Sequence, residues 1–492
     1  MPQDLKQRAI TSTAWYAGTR LATQIISWGV TLIVARLLSP SDYGLFAMAL
    51  AVIAFLELFQ EFGLGVAIIQ KPDLSREQLN AVFWISTGSS ALLAGIAYAA
   101  SGFAARFYHE PRLATIIPIL GLTFLINALG MIPFNLLTKD INFRLRSLAE
   151  GAAAVGAAGV SLALAATGGG VWALVMGNLV RCLVLNAGSI IACRWFPGFR
   201  ASFAGVGEVL RFGLRVAGTG ALNTLSNAVN TSIIARILGG ANLGYYTMAE
   251  SLGRGNPLHK ISTSVITQLA LPIFSKLQRE EEELRYYLLK VSKYLALMAF
   301  PLQIGMALTA SDLVDVLLSA KWHPIVPVLQ AFAVGGVLWI LPLPSFPLLT
   351  ARGKVEYVFR YTIAFVLVMA AVTWAGSQFG LQGVAISWLV AFPLLRCIPL
   401  GASLTETGIP VRQYLATIVD PLKAVLVMIV TVLIVVHVLM PHSVPWHRLL
   451  VAAATGAVTY IAAVVLMDRS LLAELREIGR ALQPGRPEEP AA

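Results

Sequence analysis

Charge is scarce in this sequence. Only 12% of its 492 residues are Asp, Glu, Lys or Arg, against about 25% in an ordinary soluble domain. Polar surface is therefore too limited to cover the 57% of residues that are apolar, and most soluble folds are excluded. Cysteine is nearly absent as well. Cys182, Cys193 and Cys397 form an odd set without CxxC or Cys/His ligand spacing, so neither a disulfide framework nor a metal site is expected. No GxxxxGK[ST] string occurs and no segment between apolar runs is long enough for a nucleotide-binding domain, which excludes ATP hydrolysis by this chain. No cofactor is expected.

The sequence is instead built of long apolar runs, with a mean hydropathy of +0.75. Crossing a bilayer as a helix takes about 20 apolar residues. Fourteen runs qualify: 9–38, 43–69, 79–105, 113–137, 147–167, 171–193, 212–238, 243–274, 284–310, 326–350, 355–374, 381–404, 424–440 and 449–467. The first lacks a small-residue cleavage site and is too long for a cleaved signal. The expected fold is thus an all-α integral membrane protein of about 14 transmembrane helices.

The net charge of +11 would in a soluble protein raise the question of nucleic acid. Here its distribution gives a different reading. With the N-terminus inside, 21 Lys and Arg fall in cytoplasmic segments, six in outer segments and nine within spans. Basic loops are retained in the cytoplasm, so both termini are expected there and no nucleic-acid partner is implied. Residues 471–482 place Leu and Ile at helical spacing opposite charged residues, the pattern of a helix lying on the inner surface. The Pro-rich end that follows is expected to be disordered.

Self-comparison reveals a repeat. TLIVARLLSPSDYGLFAMA from Thr31 matches TSIIARILGGANLGYYTMA from Thr231 without a gap, and eleven of the 33 positions in 17–49 are identical at an offset of 200. Ala35-Arg36, Gly44 and Met48 are answered by Ala235-Arg236, Gly244 and Met248. A weaker echo links the strings ending at Arg181-Cys182 and Arg396-Cys397. The expected organisation is an N-lobe of six helices (1–200), a C-lobe of six (201–410), two further helices (411–467) and a cytoplasmic tail (468–492). Six spans per lobe make the lobes parallel, related by an axis along the membrane normal.

Apart from Arg36, Arg236 and Arg285 at span ends, the first two counted with the outer segments and the third with the inner, nine basic residues lie within spans: Arg20, Arg181, Arg215, Arg254, Lys260, Lys290, Lys293, Arg360 and Arg396. Each costs about 2.5–3.5 kcal/mol at the bilayer centre unless it faces a cavity, pairs or snorkels. Arg215, Lys290, Lys293 and Arg360 are close enough to the cytoplasmic face to snorkel. Arg20 has Glu57 and Glu61 on the next helix as possible partners, and Arg181 and Arg396 are divided between a contact inside their lobe and a ligand role. Span eight reads Gly253-Arg254-Gly255-Asn256-Pro257-Leu258-His259-Lys260, where Pro and Gly interrupt the helix. Broken backbone at membrane depth is tolerated against protein or a wet cavity. This is the first candidate anion site. The candidate substrate-binding set is Arg20, Arg181, Arg254, Lys260 and Arg396, with Glu57, Glu61 and His259 as candidates for ion coupling. Cations there suit an amphiphile with an anionic head, since Arg pairs well with phosphate oxygens.

The strings ARLLSPSDYGLFAMA from Ala35, FGLGVAIIQKPDLSREQLNAVFW from Phe62, ARFYHEPRL from Ala105, FLINALGMIPFNLL from Phe124, GGGVWALVMGNLVR from Gly168, GYYTMAESL from Gly244 and LALPIFSKLQ from Leu269 carry a family likeness. They resemble the Wzx-type lipid-linked oligosaccharide flippases, the polysaccharide transporter branch of the multidrug/oligosaccharidyl-lipid/polysaccharide (MOP) exporter superfamily. Within that branch the likeness is to colanic-acid-type exopolysaccharide exporters. It covers spans one to eight in residues and the later spans in pattern. The resemblance implies a bacterial inner-membrane flippase with inward- and outward-open states. Its substrate would be an undecaprenyl-diphosphate-linked repeat unit for exopolysaccharide or lipopolysaccharide synthesis, and a polymerase and a chain-length regulator would be its partners. In lipid II flippases basic residues on helices one, two and eight line the cleft. Arg20 and Arg254 occupy the matching first and eighth helices, whereas helix two departs by offering Glu57 and Glu61. Two other readings remain at this point: a cation-coupled drug or lipid antiporter of the same superfamily, which would need carboxylates to dominate the cleft, and a membrane polymerase or ligase of lipid-linked sugars, which would need a large outer loop.

Overall fold

The structure, a computed structural model, describes residues 23–60, 65, 68, 74–140, 143–202, 206–253 and 270–467, without the side chains of 143, 206 and 208–220. Among the described residues there are helices and no strands. Among these helices eleven are long and apolar enough to cross a membrane; they overlap expected spans two to six and nine to fourteen, although Pro40–Glu57 covers only the first part of span two (43–69). Spans one, two, seven and eight each include residues whose backbone or side chains are outside the described set.

The first half comprises α1 (Thr23–Leu37), α2 (Pro40–Glu57), α3 (Arg76–Tyr108), α4 (Leu113–Lys139), α5 (Phe143–Ala166) and α6 (Trp172–Cys193). Local chemistry explains where these helices start. Ser39 caps α2 in a reciprocal capping box with Asp42, Pro40 occupies the first turn, and Ser75 with Gln78 repeats the device at α3. At the far end of α3, His109 adopts the left-handed conformation that stops the helix.

The helix Val206–Gly253 is interrupted at Gly239, whose φ of 79° and ψ of 178° lie outside the helical region. It therefore consists of α7 (206–238) and α8 (240–253), as the repeat requires: Gly239 stands where Ser39 separates α1 from α2. There follow α9 (Glu281–Leu308), α10 (Ala310–Leu317), a 3₁₀ turn (Ala320–Ile325), α11 (Val326–Ile340), α12 (Ser345–Ala351), α13 (Val355–Ser377), α14 (Gly380–Thr407), α15 (Val411–Ile434) and α16 (Pro445–Met467). Span thirteen starts earlier than hydropathy suggests. Arg412, Asp420 and Lys423, in a stretch before residue 424 expected to hold at most a short interfacial helix, lie on α15, where Lys423 pairs with Asp420 at 3.2 Å. Long side chains at a helix end can carry their charge back to the interface, so the helix runs on past the apolar stretch.

The described residues form two compact units. One comprises those within Met1–Leu258 with Leu317–Val328 and Glu356–Phe392; the other comprises those within His259–Val316, Leu329–Val355 and Pro393–Ala492. In the first, α2 packs along α8 with near-symmetric close approaches. A Cβ on Gly44 would overlap the Gly240 carbonyl, and one on Gly244 would overlap the Pro40 carbonyl. These two contacts exchange under the 200-residue offset. Ala35, Met48 and Ala49 and their counterparts Ala235, Met248 and Ala249 are all buried. Small residues let backbones approach where lipid offers no hydrophobic contrast to drive association. Polar ties join other helices of this unit: Gln60 donates to the Phe124 carbonyl at 2.9 Å, and Asn186 donates to Asn127 Oδ1 at 3.0 Å.

The second unit has its core among α9, α15 and α16, around Leu295, Phe300, Val425, Met428 and Tyr460. Tyr460 donates to the Leu297 carbonyl at 2.9 Å and Tyr414 to the Leu341 carbonyl at 3.1 Å. Arg448, near the start of α16, forms an ion pair with Asp312 of α10, whose side chain is 7% exposed. Converting Tyr460 to Phe should remove one buried hydrogen bond and cost about 1 kcal/mol, read as a small fall in the detergent melting temperature; an unchanged value would show that bond to be idle.

Candidate functional site

Charged residues within the spans differ in their surroundings. Arg360 pairs with Glu356 one turn earlier at 2.5 Å, both side chains being 76% exposed. Lys290 donates to the Tyr286 hydroxyl at 2.7 Å. Glu150 accepts from Arg146 at 2.9 Å, and that guanidinium also lies over Phe134. These groups sit within the first three turns of their helices, from which long side chains can reach the interface.

Arg181 is exposed on α6, and Glu57 is exposed at the end of α2. In the second unit Arg396, half-buried on α14, places its guanidinium 5.2 Å from the Phe346 ring centre on α12, a cation–π distance. The weak sequence echo between Arg181 and Arg396 thus joins two residues with different surroundings. Arg20, Glu61, Arg254, His259 and Lys260 lie outside the described residues. No group of His, Cys, Asp and Glu that could hold a metal occurs among the described residues.

Two further arginines engage at the C-terminal ends of α1 and α7. Arg36 and Arg236 were expected only as outer-loop charges, yet both reach distant segments. Arg36 Nε donates to the Leu317 carbonyl at 3.0 Å, and Arg236 lies 2.5–2.8 Å from the ring nitrogens of His109. The available signal was their shared place in the repeat.

The eleven long apolar helices among the described residues define a multi-pass membrane protein. Its fold is shared with solved membrane transporters: it matches the lipid II flippase MurJ in an inward closed conformation with a TM-score of 0.71 over 93% of this chain and 100% of the other, at 13% identity. A multidrug resistance MATE family transporter of the MOP superfamily, inward-facing, matches with a TM-score of 0.62 over 79% of this chain and 94% of the other, at 16% identity. The sequence model of a family described as polysaccharide biosynthesis protein matches residues 33–327, and the chain belongs to that family. Among its relatives are the lipopolysaccharide biosynthesis protein WzxC of Escherichia coli K12, 27% identical over 78% of this chain and 79% of the relative. The succinoglycan biosynthesis transport protein ExoT of Rhizobium meliloti is 24% identical over 96% of each chain, and the teichuronic acid biosynthesis protein TuaB of Bacillus subtilis is 26% identical over 68% of this chain and 70% of its own.

Proposed function

We propose that this protein flips an undecaprenyl-diphosphate-linked oligosaccharide repeat unit from the cytoplasmic to the outer leaflet of a bacterial inner membrane, for exopolysaccharide or lipopolysaccharide synthesis. The observation that carries this reading is the polysaccharide-biosynthesis family match over residues 33–327, which takes in most of the first eight helices and the repeat. The lobes, 1–200 and 201–410, alternate access to a path between them, while residues 411–467 add two helices and both termini stay in the cytoplasm.

Arg20, Arg181, Arg254, Lys260 and Arg396 neutralise the diphosphate as it leaves water, where an unpaired charge is most costly. Glu57, Glu61 and His259 are the groups available to couple an ion. The polymerase and chain-length regulator of the same pathway receive the product. Such a protein performs no covalent chemistry: it binds, reorients and releases.

Replacing Arg254 and Lys260 together by Gln should slow flipping of a labelled lipid-linked repeat unit at least about tenfold. A charge-assisted hydrogen bond is worth about 1.5–3 kcal/mol, and two are removed. An unchanged rate from correctly inserted protein would remove span eight from the site.

A further inference from the structure

The outer ends of α1 and α7 carry an interlock that the repeat alone does not explain. Arg36, in the last turn of α1, donates to the Leu317 carbonyl at 3.0 Å across a separation of 281 residues. Next to it, the fully buried Trp322 donates its indole N–H to the Ala35 carbonyl at 2.8 Å, and Lys321 Nζ donates to the Arg36 carbonyl at 2.7 Å. Tyr43 and Tyr245 pack edge-on against the Trp322 ring at 5.5 and 6.0 Å. The end of α1 is thereby clasped to the segment that follows the ninth span.

The second arginine makes the corresponding contact. Arg236, in the last turn of α7, meets the His109 ring and lies 5.5 Å from the Phe107 ring centre, while Ser232 one turn back shares a 2.7 Å hydrogen bond with the Tyr108 hydroxyl. His109 ends the third span. The third span of the first half corresponds in order to the ninth of the second. Each repeat's first-helix arginine thus holds the segment after the other repeat's third helix. Immediately beyond, the Gly44–Gly240 and Pro40–Gly244 approaches close the same seam. All of these groups lie in the first compact unit.

We propose that Arg36 and Arg236 are paired latches that hold the outer end of the transport path shut, so that outward release requires 317–322 and His109 to be let go. They are positioning residues for the outward step. The proposal rests on the cytoplasmic placement of both termini and on transport through this seam. A static clasp would contribute stability alone. A latch sets which side of the membrane the seam opens to, because removing a contact made only in the closed state shifts the population towards the open one. One hydrogen bond to a charged group corresponds to about a tenfold shift.

The test uses the full chain with Cys182, Cys193 and Cys397 replaced by Ser and a reporter Met48→Cys, at a buried position on α2 beneath the seam. Labelling by a membrane-impermeant maleimide is timed in intact spheroplasts and in inverted vesicles. Adding Arg36→Gln with Arg236→Gln should accelerate labelling from outside about tenfold or more. An unchanged outside rate in protein that elutes as folded overturns the proposal, as does acceleration only in inverted vesicles. If the double variant does not reach the membrane, Arg36→Gln and His109→Ala singly should each accelerate outside labelling by a smaller factor, and no change in either overturns it. No flipping is measured, so failure of the lipid-linked substrate reading would leave this result standing.

Discussion

Gly44→Ala should lower the melting temperature of the detergent-solubilised protein by several degrees, and Gly244→Ala should do the same. In each case the new methyl group would overlap a backbone carbonyl on the facing helix, that of Gly240 or Pro40. A flexible side chain could swing aside, but a helical carbonyl moves only with its helix. Overpacking of this kind costs about 1–3 kcal/mol even where side chains can yield, so the upper end of that range is expected here. Gly29→Ala is the control: nothing lies within 4 Å of the place its methyl group would take, and alanine's helix propensity should leave stability unchanged or raised by up to about 1 kcal/mol. Equal losses at all three positions would contradict the close α2–α8 seam.

Asp312→Asn is the second substitution with a large expected cost. The carboxylate is 7% exposed and pairs with Arg448, whose side chain is 25% exposed. Breaking a buried pair by removing one member costs about 3–5 kcal/mol because the other charge is left uncompensated. Partial exposure of Arg448 moves the expectation to about 2–3 kcal/mol. Arg448→Leu alone should also destabilise, whereas the double variant should lose less than the sum of the singles. Simple additivity in that cycle would show that the pair contributes no coupling.

Much of this architecture was legible because hydropathy reports length directly. Span six agrees with α6 to one residue, and span three differs from α3 at its ends, where Arg76 and Tyr108 extend the helix beyond its apolar stretch. The start of α15 was not legible: Arg412, Asp420 and Lys423 read as a connecting stretch with at most a short interfacial helix, although one proline-preceded helix carries them into the span. The repeat was readable as eleven matches at one offset, and the physical reason for two of its glycines, Gly44 and Gly244, is their close backbone approach. Nothing in the local sequence announces that Arg36 meets Leu317 or that Arg236 meets His109. Those contacts join segments 281 and 127 residues apart, and an arginine in the last turn of a helix has the same composition signal whether it is solvated or engaged. Of the candidate site, Arg396 has the Phe346 ring beside it and Arg181 and Glu57 are exposed on α6 and α2, while Arg20, Glu61, Arg254, His259 and Lys260 fall outside the described residues.

Reconstitution tests the central claim most directly. Purified protein in liposomes would be given an undecaprenyl-diphosphate-linked oligosaccharide bearing a fluorescent sugar, distributed over both leaflets, and a membrane-impermeant quencher would then be added outside. Protein-free vesicles should lose only the outer-leaflet share of the signal. The account predicts that vesicles with the protein lose nearly all of it, as inner-leaflet lipid is carried out during the assay. A quenching curve identical to that of protein-free vesicles, from protein shown to be folded and inserted, would contradict it.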